Sequence, residues 1–93
     1  MKLCYTSRAR NDLIIAFEWY EKQRRGLGFE FLDCVEAVIE TIQQMPQLYA
    51  SHHNHFRRAL VRRFPFSIFY TMEEKTVVVH AIFDNRQDPV RLP

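Results

Sequence analysis

Five arginines in the C-terminal half of the chain are the side chains best suited to chemistry. They are Arg57, Arg58, Arg62, Arg63 and Arg86. A guanidinium group binds a phosphate through two parallel hydrogen bonds and stabilises the charge that develops in phosphoryl transfer. The same group pairs with the carboxylates of an acidic protein. The first four therefore predict an anion-binding or partner-binding surface, with a solvated edge strand as the remaining alternative.

Four histidines are candidates for proton transfer, because imidazole exchanges protons near neutral pH. His52, His53 and His55 lie in a polar loop before the basic segment, where they are either proton-transfer groups or ordinary loop residues. That loop has no carboxylate or Cys at metal-ligand spacing, so we expect no metal site. His80 lies within a Val/Ile-rich run and is either a catalytic residue in an open groove or a hydrogen-bonded structural one.

Charge is segregated along a chain whose net charge is only +2. Residues 26–55 carry four acidic side chains and no Lys or Arg, whereas residues 56–72 carry four Arg and no acidic side chain. Basic clusters attract anionic partners. The pattern predicts an acidic helix followed by a basic strand.

Length and composition restrict the class of protein. At 93 residues the chain is expected to form one domain, residues 1–93. It has no apolar run near the ~18 residues that a membrane span needs, and its first ten residues turn basic too early for a signal peptide. We therefore expect a cytoplasmic protein with no membrane association. No glycine-rich phosphate loop, nucleophile elbow or carboxylate pair is present, so we also expect no cofactor.

Two helices and four strands are predicted to position these side chains. The strands are expected at residues 2–5, 56–63, 66–72 and 76–83, and the helices at about 7–25 and 29–45. Thr6 or Ser7 can cap the first helix, Gly26 and Gly28 are expected to form the turn after it, and Pro46 ends the second. On one strand, Arg58 and Arg62 would face one side and Arg57 and Arg63 the other.

Both helices carry an apolar stripe with helical spacing. The first stripe comprises Leu13, Ala16, Phe17 and Tyr20, broadened by Ile14, Ile15 and Trp19. The second comprises Phe31, Val35, Val38, Ile42 and Met45, broadened by Leu32 and Ile39. We expect Leu32, Val35, Ile39, Ile42, Phe17 and Tyr20 to be buried against Phe66, Ile68 and Tyr70 or against the matching face of the last strand.

The strand pattern sets the fold class. In the last strand, regular alternation places Val77, Val79, Ala81 and Phe83 on one face and Val78, His80 and Ile82 on the other. The last three strands are joined by short connections, which are typical of antiparallel neighbours. We predict an α+β two-layer sandwich of order β-α-α-β-β-β, with a mostly antiparallel four-stranded sheet. The helical hairpin covers one face, and the other face is partly open.

The element order and the segment from Arg62 to Pro89 together resemble the RelE/ParE toxin superfamily of type II toxin–antitoxin systems. The most specific pieces are the runs at 62–66, 77–81 and 86–89. The resemblance spans essentially the whole chain. It implies a growth-inhibiting toxin from a toxin–antitoxin module of the kind that stabilises plasmids. A cognate acidic antitoxin would neutralise it by folding a disordered segment onto the toxin.

The superfamily contains two functional branches. RelE-like members cut mRNA in the ribosomal A site, and in this chain Arg58, Arg86 and His80 would be their catalytic residues. ParE-like members inhibit DNA gyrase without cutting RNA. RelE-like enzymes commonly have Arg where this chain has Ser67, and often a Tyr near the C-terminus, which this chain lacks after Arg86. The resemblance thus favours the ParE-like branch, with a RelE-like ribonuclease and an inactive antitoxin-binding remnant as alternatives.

Overall fold

A strand, a helical hairpin and a three-strand meander follow one another in the computed structural model, which describes residues 1–52 and 55–93. The elements are β1 (Lys2–Tyr5), α1 (Ser7–Gln23), α2 (Leu27–Gln44), β2 (Arg57–Leu60), β3 (Phe66–Glu73), β4 (Thr76–Asp84) and a 3-10 turn (Pro89–Arg91). The predicted order is confirmed. In the described part of the chain, no helix is both long and apolar enough to cross a bilayer.

The four strands form one sheet in the order β1-β4-β3-β2. β3 pairs antiparallel with both β2 and β4, and β1 pairs parallel with β4. The α helices separate β1 from the other strands, and such a long connection allows a parallel neighbour. The predicted mostly antiparallel sheet is therefore confirmed.

The two helices approach each other closely at the start of α2. An ideal Cβ on Gly28 would lie 2.7 Å from the carbonyl oxygen of Phe17, so only glycine fits there without a shift. Gly26 forms the turn itself, with φ of 89°. The Glu21 carboxylate accepts hydrogen bonds from the backbone N–H of both glycines, each at 2.9 Å. Helix α2 therefore begins at Leu27, earlier than predicted, and Gly28 lies in its first turn.

The main core lies between the helices and one face of the sheet. The predicted phase of α2 is confirmed, since Val35, Ile39 and Ile42 are buried. Tyr20 is also buried, and its ring lies 4.9 Å from Phe64. Other predicted members of the stripes are partly buried, namely Phe17, Leu32 and Leu13.

Four predicted stripe residues lie at the surface instead. They are Ile14, Ile15, Trp19 and Met45, each about half exposed. Met45 follows the last residue of α2 and forms its C-cap. Helix α1 buries only Ala9, Ala16 and Tyr20. A stripe this narrow leaves the flanking apolar side chains of α1 exposed.

β2 is half as long as predicted. It ends at Leu60, and the chain then turns through Arg63, whose φ of 71° is left-handed. The expectation that Arg62 and Arg63 alternate on this strand is therefore wrong, because both lie in the connection to β3. Val61 still donates to Phe66 across that turn at 2.9 Å.

A β-bulge interrupts the predicted alternation of β4. Tyr70 pairs with Val79 but Phe69 pairs with Ala81, so His80 is the extra residue. Beyond the bulge, Ile82 joins the core under the helices, while Ala81 and Phe83 pack with Phe69 on the other face. Regular alternation therefore assigned the second half of β4 to the wrong faces.

Side chains from the start of α1 replace β1 as the neighbour of β4 beyond the bulge. Thr6 Oγ1 donates to the carbonyl of His80 at 3.1 Å and also accepts from the N–H of Ala9, which caps α1. The Asp12 carboxylate accepts from the N–H of Ile82 at 3.1 Å. These contacts satisfy backbone groups that β1, which ends at Tyr5, cannot reach.

Candidate functional site

The face of the sheet opposite the helices, here called the second face, contains two of the predicted catalytic residues. Arg58 is fixed there by side chains from β3 and from the end of β4. Its Nε donates to Ser67 Oγ at 2.8 Å, and its Nη2 donates to Asn85 Oδ1 at 3.2 Å. Ser67 also donates to Asn85 at 2.7 Å. Ser67 is fully buried, and the three side chains form one hydrogen-bonded network.

His80 lies on the same face within a second polar group. Its Nε2 is 2.8 Å from Thr71 Oγ1, and Thr71 also bonds the Glu73 carboxylate at 3.1 Å. The Phe56 ring packs edge-on against the imidazole, with centroids 4.9 Å apart. Burial lowers the pKa of His80, and the charge of Glu73 opposes this shift. The ring nitrogen that faces Thr71 is thus already engaged.

An apolar cluster occupies the second face near these two groups. Phe69 is fully buried and Phe83 is 6% exposed, and both pack with Ala81. Phe56 and Leu92 cover the cluster from outside. The guanidinium of Arg58 lies 5.8 Å from the centre of the Phe69 ring. The aromatic rings of β3 and β4 are therefore unavailable for stacking on nucleotide bases.

Arg86 lies away from this face. It forms a two-point ion pair with Asp84, through Nε at 2.9 Å and Nη2 at 2.8 Å. Its guanidinium lies 6.0 Å from the Trp19 ring on α1. The ion pair holds the pKa of Asp84 below its ordinary value. The structure therefore brings Arg58 and His80 to one face but places Arg86 beside the helices.

The remaining predicted arginines have different environments. Arg57 donates to the carbonyl of Tyr49 and so fixes the loop before β2. Arg63 pairs with Glu30 at 2.9 Å, and Arg24 binds the other oxygen of the same carboxylate. Arg62 is exposed, and it forms no hydrogen bond or ion pair with residues 1–52 or 55–93. These arginines do not form one continuous surface on β2.

The two loop histidines that the structure describes have different surroundings. The His52 ring lies 5.4 Å from Phe69, and His55 adopts a left-handed φ of 67°. His53 lies outside the described residues. Within the described part of the chain, no group of three or more His, Cys, Asp or Glu side chains is placed to hold a metal ion.

A groove that the sequence did not predict runs between α1 and the C-terminal segment. Its volume is about 790 Å³, and Ile15 and Trp19 of α1 face Val90 and Arg91 across it. The signal in the sequence was an apolar pair, Ile15 and Trp19, at i and i+4 on the flank of the α1 stripe. The predicted α1 stripe places both residues in the core, and this placement is wrong because both are about half exposed.

Comparison with known proteins identifies the family. A family model described as the ParE toxin of the type II toxin–antitoxin system, parDE, matches residues 3–89. A solved structure titled chromosomal ParDE TA system from P. aeruginosa is similar in fold, with a TM-score of 0.67. The two chains share 21% identity over 90% of this chain and 95% of that one. No curated protein matches. Because the family match spans nearly all of the described fold, the chain belongs to the ParE toxin family within the RelE/ParE superfamily.

Proposed function

We propose that this protein is a growth-inhibiting toxin that binds and inhibits DNA gyrase without cutting RNA, and that a cognate antitoxin neutralises it. It would act in the cytoplasm, and a plasmid that carried the pair would be stabilised. Membership of the ParE toxin family supports the assignment to a toxin–antitoxin module. The choice of gyrase rests on one observation, the separation of Arg86 from Arg58 and His80, the three residues that an RNA-cutting relative would need.

A ribonuclease of this fold requires cations and a proton-transfer group around one phosphate. Arg58 is held by Ser67 and Asn85, and His80 is held by Thr71. Arg86 is paired with Asp84 beside α1. Within the described residues, no hydrogen bond or ion pair joins any two of these three side chains. The geometry therefore favours a binding protein over a catalyst.

A RelE-like, ribosome-dependent mRNA endoribonuclease is the second candidate. The observation in its favour is that Arg58 and His80 lie on one face of the sheet. Arg58 would then stabilise phosphoryl charge while His80 transferred a proton. An inactive remnant that binds only the antitoxin is the third alternative, and it predicts no toxicity at all.

Controlled expression in bacterial cells with two sets of readouts tests the proposal. We expect growth arrest with induction of the DNA-damage response and gyrase–DNA adducts, while mRNA stays intact in the ribosomal A site. Arg58→Ala and Arg86→Ala should not change mRNA integrity, and Lys75→Ala, in the exposed β3–β4 turn, is the matched control. A-site cleavage that either arginine variant abolishes would overturn the gyrase proposal. Absence of arrest would favour the remnant.

A further inference from the structure

Helix α1 presents large apolar side chains to solvent on its outer side. Ile14 is 50% exposed, Ile15 is 58% exposed and Trp19 is 51% exposed. Ile15 and Trp19 are neighbours at i and i+4, and Ile14 lies on the adjacent ridge of the helix surface. These three residues, here called the α1 strip, therefore form one patch within two turns. Exposed apolar side chains grouped in this way indicate an interaction surface.

Two oppositely charged side chains flank the α1 strip. Arg10 lies one turn before Ile14, and Glu18 lies one turn after it. Both are exposed, and neither side chain forms a hydrogen bond or an ion pair with residues 1–52 or 55–93. Eight residues of helix separate them by about 12 Å along the axis, so they do not pair with each other. A cation and an anion are thus left unmatched at equal distances from Ile14.

The stability of α1 does not explain the position of Arg10. The first turn of the helix contains no acidic side chain, although Arg8 and Arg10 both lie there. Cations at the N-terminus of a helix oppose its macrodipole. Arg8 is compensated, because it pairs with Asp12 and donates to the carbonyl of Arg91. Arg10 has no such compensation within the described residues, and a carboxylate from another chain would supply it.

We propose that the α1 strip binds a second copy of this chain through an antiparallel contact between the two α1 helices. A two-fold axis at Ile14 brings Arg10 of each copy opposite Glu18 of the other, because both charges lie four residues from the axis in opposite directions. A symmetric contact of this kind needs one self-complementary patch. Packed helices lie about 8–10 Å apart, which is within reach of Arg and Glu side chains.

Charge selects both the orientation and the partner. Parallel α1 helices in the same register would place Arg10 against Arg10 and Glu18 against Glu18, and such like-charge contacts disfavour association. A strongly acidic or strongly basic partner fits less well, since the strip is flanked by one charge of each sign. The net charge of +2 is too small to keep two copies apart. The α1 strip is therefore complementary to itself.

The size of the contact predicts a weak dimer. Helix α1 has 17 residues. A helix of that length offers a strip about 26 Å long and about 10 Å wide, which is far less than the ~800 Å² that each partner buries in a stable complex. We therefore expect a Kd of ~10–100 µM. The dimer does not rest on the proposed function, because it is detected by mass rather than by toxicity.

Sedimentation velocity of the full-length protein at concentrations from about 5 to about 500 µM, which bracket the expected Kd, measures the association. The weight-average mass should rise from 11.2 kDa towards twice that value. Ile14→Glu places two carboxylates together at the axis and should abolish the rise. Leu60→Glu is the matched control, because Leu60 is 62% exposed on β2. It should change the Kd by less than about 3-fold, and thermal unfolding verifies that each variant folds.

Charge reversal tests the antiparallel register. Arg10→Glu alone and Glu18→Arg alone each convert two attractive contacts of the dimer into repulsive ones, so each should weaken dimerisation by ~10-fold or more. The double variant exchanges the two charges and should restore the Kd to within about 3-fold of wild type. A mixture of the two single variants should associate more strongly than either variant alone, because their charges are complementary.

Four results would overturn the proposal. The first is a wild-type protein that stays monomeric at about 500 µM, well above the Kd expected for a weak contact. The second is a dimer that Leu60→Glu weakens and Ile14→Glu does not, which would use another face. The third is a single charge variant that dimerises like wild type, or whose loss the double variant fails to restore. The fourth is a monomer whose α1 amides are protected from hydrogen exchange only when the product of the neighbouring reading frame is added, which would assign the strip to a different protein.

Discussion

At the scale of single residues, the buried polar side chains have hydrogen-bond partners within the fold. Ser67, fully buried, bonds Asn85, and both accept from Arg58. Tyr70, also fully buried, donates its hydroxyl hydrogen to the Pro46 carbonyl at 2.6 Å, and burial raises the pKa of Tyr70 to about 12. A buried polar group is tolerated only when it is hydrogen-bonded. These contacts therefore stabilise the fold and also restrict what the same side chains can do for a substrate.

Protonation of His80 should make stability depend on pH. Burial lowers the pKa of His80 below its ordinary value of 6.5, so the unfolded chain binds this proton more readily than the folded one. The contribution is fully present above pH 6.5 and is lost as the pH falls from 6.5 through the folded pKa. In His80→Gln, urea unfolding at pH 7.5 and 5.5 should show a smaller difference in stability than in wild type.

The control for that experiment is Ile14→Ala, at an exposed position of α1 that binds no proton. It should keep the wild-type dependence on pH. An unchanged pH dependence in His80→Gln would show that the folded protein does not disfavour protonation of His80.

Truncation of Ile39 tests the packing of α2 on the sheet. Ile39 is 3% exposed in the core, so Ile39→Ala should cost ~2–5 kcal/mol through lost burial and the cavity that remains. Ile14→Ala removes the same atoms from a half-exposed position on α1 and should change the unfolding free energy by less than about 1 kcal/mol. Chemical denaturation measures both, and equal costs would contradict the assigned helix phase.

At the scale of elements, the close approach of α1 and α2 restricts which side chain can occupy position 28. Besides the Phe17 carbonyl, a Cβ on Gly28 would lie 2.9 Å from the Phe17 ring and 2.9 Å from the Glu21 carboxylate. Glu21 also caps the start of α2. The helical hairpin therefore depends on glycine at position 28, which has no side chain, and on the carboxylate of Glu21.

Gly28→Ala should destabilise the protein although alanine favours helices. Alanine gains up to about 1 kcal/mol as a helix former, but the added methyl must push α1 from α2, which typically costs ~1–3 kcal/mol for overpacking. Ala37→Gly, at an exposed position in α2, measures the propensity effect alone and should cost about 1 kcal/mol. Unfolding in urea compares the two, and a stabilised Gly28→Ala protein would show that the helices separate freely.

Local pattern predicted the elements but not their irregularities. The phase of α2 followed from the spacing of Val35, Ile39 and Ile42, which depends only on neighbouring residues. The bulge at His80 could not be predicted from neighbouring residues, because the His80 carbonyl accepts a hydrogen bond from Thr6, 74 positions earlier in the chain. Partners this distant form only after the chain has folded, so sequence periodicity contains no trace of them.

The same reason limited prediction of the candidate site. Arginines are recognisable in a sequence, but their partners are not. The bond from Arg58 to Asn85 and the ion pair of Arg63 with Glu30 join separate elements. The exposed side of α1 was missed because the width of a buried stripe depends on how much of the helix its neighbours cover. Helical spacing therefore predicts a buried Trp19, although this side chain lines the groove between α1 and the C-terminal segment.

Segregated charge is the dominant feature at the scale of the whole molecule. Asp33, Glu36 and Glu40 are exposed along α2, whereas Arg62 is exposed in the β2–β3 connection and Arg91 near the C-terminus. Of the four arginines proposed from the sequence as partner-binding, only Arg62 makes no polar contact with the described residues. Arg62 and Arg91 are thus the cations most available for long-range attraction of an acidic partner.

Reversing both of these charges should slow association with an acidic antitoxin. Arg62→Glu with Arg91→Glu takes the net charge from +2 to −2, since each reversal changes it by two. Electrostatic attraction speeds encounter by ~10-fold or more, so stopped-flow association at about 0.01 M salt should slow to a similar extent. At about 1 M salt, where the screening length falls to about 3 Å, the difference should nearly disappear. The opposite change, Glu36→Lys with Glu40→Lys, should not slow association at either salt concentration. Equal slowing by the arginine variant at both would instead indicate a lost contact, and long-range attraction would no longer explain the rate.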